Sequence, residues 1–339
     1  MAFIEHTPTR ESCWRSIVLM GLNVASYKFA LAQSLIELSE VGQEYIPLDK
    51  LAIPFSKNLR DHLKHSDKQI TASRDRQSFL DMCRQANSGE ISETTLVDAT
   101  VRLGFNNVID AFHVVNRADT PIRFFNDDRK TRGGITLTDE FFHLSEGTQF
   151  KNLPNEVEAR WNLVETAWEL NLSSNLIHVE YDTAENLLYV PRRDTQRVDV
   201  TSGRDALNGY QKGKCFYCFE DISINSHSSI LAEVDHFLPH ILKTHLPFLN
   251  LDGVWNLVLA CQSCNRSKNA RVPTKNLLER LNTRNNFLIE SHHPLRETLI
   301  MQTGSNTKKR ESFLQGRYDA AVDILIHSWE PDLVSDIAF

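Results

Sequence analysis

The segment Cys261-Gln-Ser-Cys-Asn-Arg-Ser-Lys268 sets two thiols three residues apart and follows them with an amide and two cations. A second C-x-x-C pair, Cys215 and Cys218, lies upstream, and these four account for most of the six cysteines. Four thiolates in two knuckles can close a tetrahedral zinc shell, with Zn–S distances of about 2.3 Å. A closed shell leaves no position for substrate, so zinc here is a staple for a module with little core of its own. An iron–sulfur cluster and a redox dithiol are the competing uses of such pairs, although neither pair opens a thioredoxin-like strand-to-helix unit. Cys13 and Cys83 stand alone in apolar, helical-looking contexts and read as packing residues.

Between the knuckles, LAEVDHFLP places Asp235 and His236 at the end of an expected strand that Pro239 breaks. WNLVLACQSCNRSKN supplies a short strand from Leu257 and then a helix beginning near Cys261, whose first turns carry Cys264 and Asn265. Strand neighbours point to opposite sides, so only an irregular strand end lets Asp235 and His236 serve one site. Acid and imidazole on the first strand and amide on the helix make a compact oxygen-donor site for a hard metal beside a general base.

In this order, C-x-x-C, D-H, N-L and C-x-x-C-N-x-x-K, the residues resemble the HNH endonucleases, the ββα-metal or His-Me finger class, in their zinc-stapled subgroup. The resemblance covers residues 203–272. It implies that His236 is the general base, Asp235 a ligand of the catalytic metal, Asn256 the brace of the loop carrying the base, and Asn265 the second ligand. Many members have His where this chain has Asn265; an amide oxygen suits Mg²⁺ better than imidazole does, so Mg²⁺ or Mn²⁺ is expected beside a structural Zn²⁺. The implied reaction is phosphodiester hydrolysis by in-line attack of a water that gives its proton to His236, leaving a 5′ phosphate. Such chemistry needs neutral imidazole and fades as pH falls below about 6.5. Arg266 and Lys268 are expected to hold the flanking phosphate, with Arg271 and Lys275 extending that contact.

The elements that must position these groups form an α+β chain. Its 339 residues have room for two or three domains and a real core. From Ser12, Trp14, Ile17, Val18, Val24, Leu31 and Leu35 recur at helical spacing, which predicts one central, mostly buried helix. Shorter helices are expected at about 57–66, 77–87, 93–103 and 106–115 from the same periodicity. Gly133-Gly134 and Ile135-Thr-Leu137 predict a turn and a short strand, and NEVEARWNLVETAWEL a helix with Val157, Trp161, Val164 and Trp168 on one stripe. LIHVEYDTAENLLYVP reads as a hairpin. RRDTQRVDVTSGRDALNGYQ reads as a basic link, its Arg192, Arg193, Arg197 and Arg204 either tracking a phosphate backbone or serving as a plain linker, with Thr201 or Ser202 capping a short helix. The boundary is placed near 200: a mainly helical recognition or regulatory region over 1–200, then an HNH domain over 201–339 with a C-terminal helical extension.

The net charge of −7 is uneven. From Gly203 onward Lys/Arg and Asp/Glu balance at fifteen each, and within 261–317 eleven Lys/Arg face four Asp/Glu. Basic character therefore collects beside the motif, as a polyanion partner requires, while the acidic N-terminal half raises autoinhibition as an expectation. The start lacks the basic and apolar regions of an export signal, no run of 18 apolar residues occurs, and free thiols fit a reducing compartment, so a cytoplasmic protein without a membrane partner is expected. No Walker-type glycine loop is present. His240, His245, His292-His293, Trp255 and the pair Asp127-Asp128 are given no functional role.

The expected function is a metal-dependent endonuclease acting on DNA, an effector of bacterial restriction or antiphage defence whose N-terminal region docks a protein or other partner. An RNA-cleaving HNH nuclease and a non-catalytic zinc-stapled binding module are the alternatives. Contacts to the phosphate backbone alone do not separate DNA from RNA.

Overall fold

The computed structural model describes residues 8–20, 25–39, 42–71, 79–115, 117–169, 179–191, 197–246, 249–291 and 293–332. The chain is α+β and divides into two compact units, Pro8–Ser174 and Asn175–Phe339.

The first unit is mainly helical: α1 (Arg10–Leu19), α2 (Tyr27–Ser39), α3 (Leu48–Leu63), α4 (Phe79–Asn87), α5 (Glu93–Ala99), α6 (Val108–Ala111), α7 (Asp139–Ser145) and α8 (Leu153–Glu169). Strand β1 (Tyr45–Pro47), the pair β2 (Val114–Val115) and β3 (Ala118–Asp119), and β4 (Phe125–Asp128) with β5 (Gly134–Leu137) complete it, β5 lying between β1 and β4. The predicted single helix from Ser12 is two, α1 and α2. Ala25 bridges to Ile70 and the Ser26 N–H donates to the Gln69 carbonyl at 3.1 Å, which draws the chain out of helical geometry; residues 21–24 lie outside those described. Helix α3 starts nine residues earlier than periodicity suggested because Pro54 lies inside it. Proline removes one helical N–H bond, and burial of Leu51, Phe55 and Leu59 outweighs that loss. The helix expected over 106–115 shortens to α6, since Val114 and Val115 pair with β3. On α8 the stripe Val157, Trp161, Val164 and Trp168 is fully buried, and Cys13 and Cys83 are core.

The second unit opens with an antiparallel sheet of β6 (Glu180–Asp182), β7 (Leu187–Pro191) and β8 (Arg197–Ser202). The Asp182 carboxylate accepts the N–H groups of Ala184 and Glu185 at 2.9 and 3.1 Å, and Asn186 takes a positive φ, so DTAEN folds as the turn. The stretch read as a basic link is a strand from Arg197 onward. Its backbone pairs antiparallel with β7, and β8 completes the ladder that β7 would otherwise leave open. Arg192 and Arg193 lie outside the described residues. Gly203 begins helix α9 (Gly203–Gln211), and a Cβ at that position would come within 2.7 Å of the Tyr181 ring.

The segment of interest follows: β9 (Glu233–His236), β10 (Leu257–Ala260) and α10 (Gln262–Lys268). The two strands are antiparallel, with Leu257 opposite His236 and Val258 opposite Asp235. Then come β11 (Val272–Pro273), α11 (Lys275–Glu290), α12 (Arg296–Thr303), α13 (Thr307–Leu325) and β12 (Ser328–Trp329), with β12 parallel to β11. Of the eleven cations in 261–317, Lys268, Arg280, Arg284 and Arg310 are buried. Arg280 donates to the carbonyls of Phe216 and Tyr217, and Arg284 to those of Val254 and Trp255. Part of the local positive charge thus satisfies backbone oxygens inside the unit, where unpaired carbonyls would be costly.

Candidate nuclease site

The four cysteines converge. Their sulfurs all lie within 4.8 Å of one another, and Cys218 and Cys261 are 3.7 Å apart. Four sulfurs around one zinc at tetrahedral angles stand about 3.8 Å apart, so the donor set fits that ion in number, type and spacing. Local hydrogen bonds shape each knuckle. The Cys215 N–H donates to the Glu220 carbonyl, Phe219 turns back with positive φ, and the Phe216 N–H donates to Leu259 in β10. On the other side Cys261 is the N-cap of α10, its sulfur accepting the Cys264 N–H at 3.4 Å.

Asn256 is fully buried at the mouth of β10. Its side-chain oxygen accepts the Leu238 N–H at 2.8 Å, and its Nδ2 donates to the carbonyls of Leu238 and Leu251 at 3.1 and 2.9 Å. With its backbone carbonyl accepting from Phe237 at 2.7 Å, this one residue fixes the chain just after His236 and the loop at 250–252 together.

His236 ends β9, 8% exposed, and its Nε2 lies 2.9 Å from Oδ1 of Asp252. The other oxygen of Asp252 accepts from Lys243, Thr183 lies 3.4 Å from Oδ1, and His240 stands 3.8 Å from it. Burial opposes ionisation of Asp252, yet the bonds from His236 and Lys243 outweigh it and hold the carboxyl well below the usual carboxylate range. The His240 ring is 5.4 Å from that of His236, and Tyr181 of β6 is 6.2 Å away on another side.

Asp235 points to the other side of β9. Tyr217 donates to its Oδ2 at 2.6 Å, and the Lys268 ammonium lies 3.0 Å from both carboxylate oxygens and 2.8 Å from the His236 carbonyl. Burial pushes the Tyr217 phenol up, with the neighbouring carboxylate adding to it, so the hydroxyl remains a donor. Lys268 was expected at a phosphate; it is instead 1% exposed, because position 268 follows Cys264 by four residues and shares the inward face of α10. Asn265, half-buried on the same helix, donates from Nδ2 to Glu233 at 2.7 Å, and its side-chain oxygen is of the type that could take a hard cation. Glu233 and Asp235 are two residues apart in β9 and share a face.

Arg266, Arg271 and Lys275 are exposed, with Arg271 also donating to the Ser267 carbonyl. His245 is exposed, and Trp255 is core, its ring 5.1 Å from Phe313 and its N–H on the Asn250 carbonyl. In the first unit Asp127 pairs with Arg129 and Asp128 accepts from Thr136. Among the described residues no helix is long and apolar enough to cross a membrane.

Sequence reasoning did not find Asp252, Tyr217, Glu233 or Lys243. For Glu233 the signal was present, two residues before Asp235 on a strand; for Asp252 there was none, since it lies sixteen positions after His236 and outside every motif.

Residues 215–274 match the model of the HNH endonuclease family, and the four cysteines cluster as a zinc-stapled member of that family requires. No curated protein and no solved structure matches the chain.

Proposed function

From an HNH-like segment whose chemical groups lie on β9, just before β10 and on α10, we propose that the protein is a metal-dependent endonuclease that hydrolyses DNA phosphodiester bonds. The observation that supports the reading is the pairing of β9 with β10 ahead of α10, the strand, strand and helix order that carries Asp235 and His236 on opposite faces of β9, Asn256 just before β10 and Asn265 on α10. A domain running from about 201 to 339 serves this chemistry, with the β6–β8 sheet ahead of it in the same compact unit, and the region over 1–200, mainly helical as far as α8, serves recognition or regulation.

His236 accepts the proton of the attacking water, while Asn256 holds the turn behind it. The oxygen donors of Asp235 and Asn265 are the type hard cations take. Mg²⁺ or Mn²⁺ held by Asp235 and Asn265 would stabilise the charge developing on the phosphoryl and leaving oxygens. Zn²⁺ held by Cys215, Cys218, Cys261 and Cys264 would act as a structural staple alone. Arg266, Arg271 and Lys275, exposed on and just after α10, attract the flanking phosphates by charge. A separate helical unit ahead of a nuclease module supports a cytoplasmic effector of bacterial restriction or antiphage defence, with the first unit docking a protein partner and its acidic charge restraining the nuclease.

One observation favours a non-catalytic binding module: the Lys268–Asp235 pair occupies a carboxylate that the catalytic metal needs. The deciding experiment incubates supercoiled plasmid, linear duplex and structured RNA with the full chain and Mg²⁺ or Mn²⁺, beside His236→Ala. Nicking of DNA that His236→Ala loses by at least about 10²-fold is expected. Cleavage of RNA alone transfers the activity to that substrate, and binding without cleavage under either metal ends the enzymatic reading.

A further inference from the structure

Asp252 belongs to no part of the motif, yet its carboxylate makes a direct polar contact with the His236 ring, at 2.9 Å from Nε2. The contact is built from both sides. Lys243 holds the second carboxylate oxygen, so Asp252 cannot turn away without breaking an ion pair. Its loop is fixed by the Asn256 amide, which bonds Leu251 on one side of the contact and Leu238 on the other. Gly253, the next residue, has no room for a Cβ, which would stand 2.6 Å from the Trp255 ring. Base and carboxylate are therefore clamped by one buried amide.

An ionised carboxylate only accepts hydrogen bonds, so the ring nitrogen facing it must carry the proton. We infer that Asp252 is the positioning residue of the general base: it fixes His236 in the Nε2–H tautomer and leaves Nδ1 as the basic nitrogen for the attacking water. This rests on the reading of His236 as general base. In the step itself the water O–H bond breaks and its proton goes to Nδ1, while the water oxygen bonds to phosphorus as the P–O3′ bond breaks. The leaving oxygen then takes a proton from solvent. Asp252 keeps its hydrogen bond to Nε2–H throughout and takes up no proton.

The arrangement makes an unusual demand on Asp252→Asn. Lys243 can only donate, so it selects the amide oxygen of the new side chain and turns the NH₂ group toward His236. Nε2 must then accept and Nδ1 must carry the proton, which is the wrong tautomer for the reaction. Replacing Lys243 in that background frees the amide to rotate and offer its oxygen to Nε2–H.

The test uses the zinc-loaded full chain. Long-range ¹⁵N–¹H correlation spectra, with His236 assigned by its loss in His236→Ala, should show the Nε2–H tautomer in the wild type and Nδ1–H in Asp252→Asn. For plasmid cleavage, kcat of Asp252→Asn should fall on the order of 10²- to 10³-fold with KM within about twofold, and Asp252→Asn/Lys243→Ala should recover at least about tenfold in kcat together with the Nε2–H signal. An Nδ1–H tautomer in the wild type, or Asp252→Asn cleaving within about twofold of wild type while His236→Ala is inactive, overturns the assignment and leaves the nuclease reading intact. Should His236→Ala cleave normally, the nuclease reading fails and the positioning role falls with it. The wild-type spectrum needs no variant to fold.

Discussion

Lys268 shows how much a single side chain's meaning depends on the face it occupies. Its type and place after C-x-x-C suggested a phosphate contact, but its ammonium is buried against Asp235 and the His236 carbonyl. Burial pulls its pKa down and Asp235 opposes that, the balance expected of a structural ion pair in a tight space. Lys268→Met should therefore destabilise the second unit by roughly 3 kcal/mol, because the carboxylate it leaves behind is buried and uncompensated. The checking measurement is the denaturant midpoint read from Trp255 fluorescence. Arg266→Ala should leave that midpoint unchanged and reduce the salt dependence of nucleic-acid binding. Equal effects of the two substitutions on the salt slope would restore Lys268 to the interface.

At the level of elements, α3 and α8 of the first unit are joined by a charged clasp that no motif announces. His62 stacks on Trp161 with ring centroids 3.5 Å apart, and its two nitrogens bond Glu165 at 2.7 Å and Glu158 at 3.2 Å. Burial opposes the imidazolium, but the two carboxylates outweigh it and push His62 up to about 9. An unfolded imidazole titrates near 6.5, so the clasp contributes its full stability below about pH 6.5 and loses it progressively as pH rises through about 9. The thermal midpoint of the first unit should accordingly fall between pH 7 and 10, and His62→Gln should flatten that fall; an unchanged slope in the variant would place the titration elsewhere. The second unit shows the same dependence of elements on unannounced partners, since Gln211 of α9 bonds both the N–H and the carbonyl of Leu259 and so anchors β10.

For the whole molecule, the division at Ser174/Asn175 separates a unit with its own core of tryptophan and phenylalanine from one that holds the cysteine cluster. The two should therefore respond differently to loss of zinc. Chelation, or Cys261→Ser, should abolish amide-exchange protection in β9, β10 and α10, while the amides of α2, α3 and α8 remain protected. Loss of protection across both sets at once would mean that the two units fold as one.

The order of cysteines, acid, imidazole and amides was legible in the sequence because chemical identity and local spacing belong to the chain itself. So were the hairpin turn at Asp182–Asn186, the strand containing Asp235, and the helix that Cys261 caps, all of which are specified within a few residues. Tertiary structure decided what those groups face. It broke the first helix at a bridge to Ile70, completed a sheet from a stretch that looked like a link, and turned Lys268 inward. It also set Asp252 against His236 from sixteen positions away. Periodicity records which side of an element is apolar, but the partner of a polar group is fixed only when distant segments meet and each buried donor or acceptor must find one.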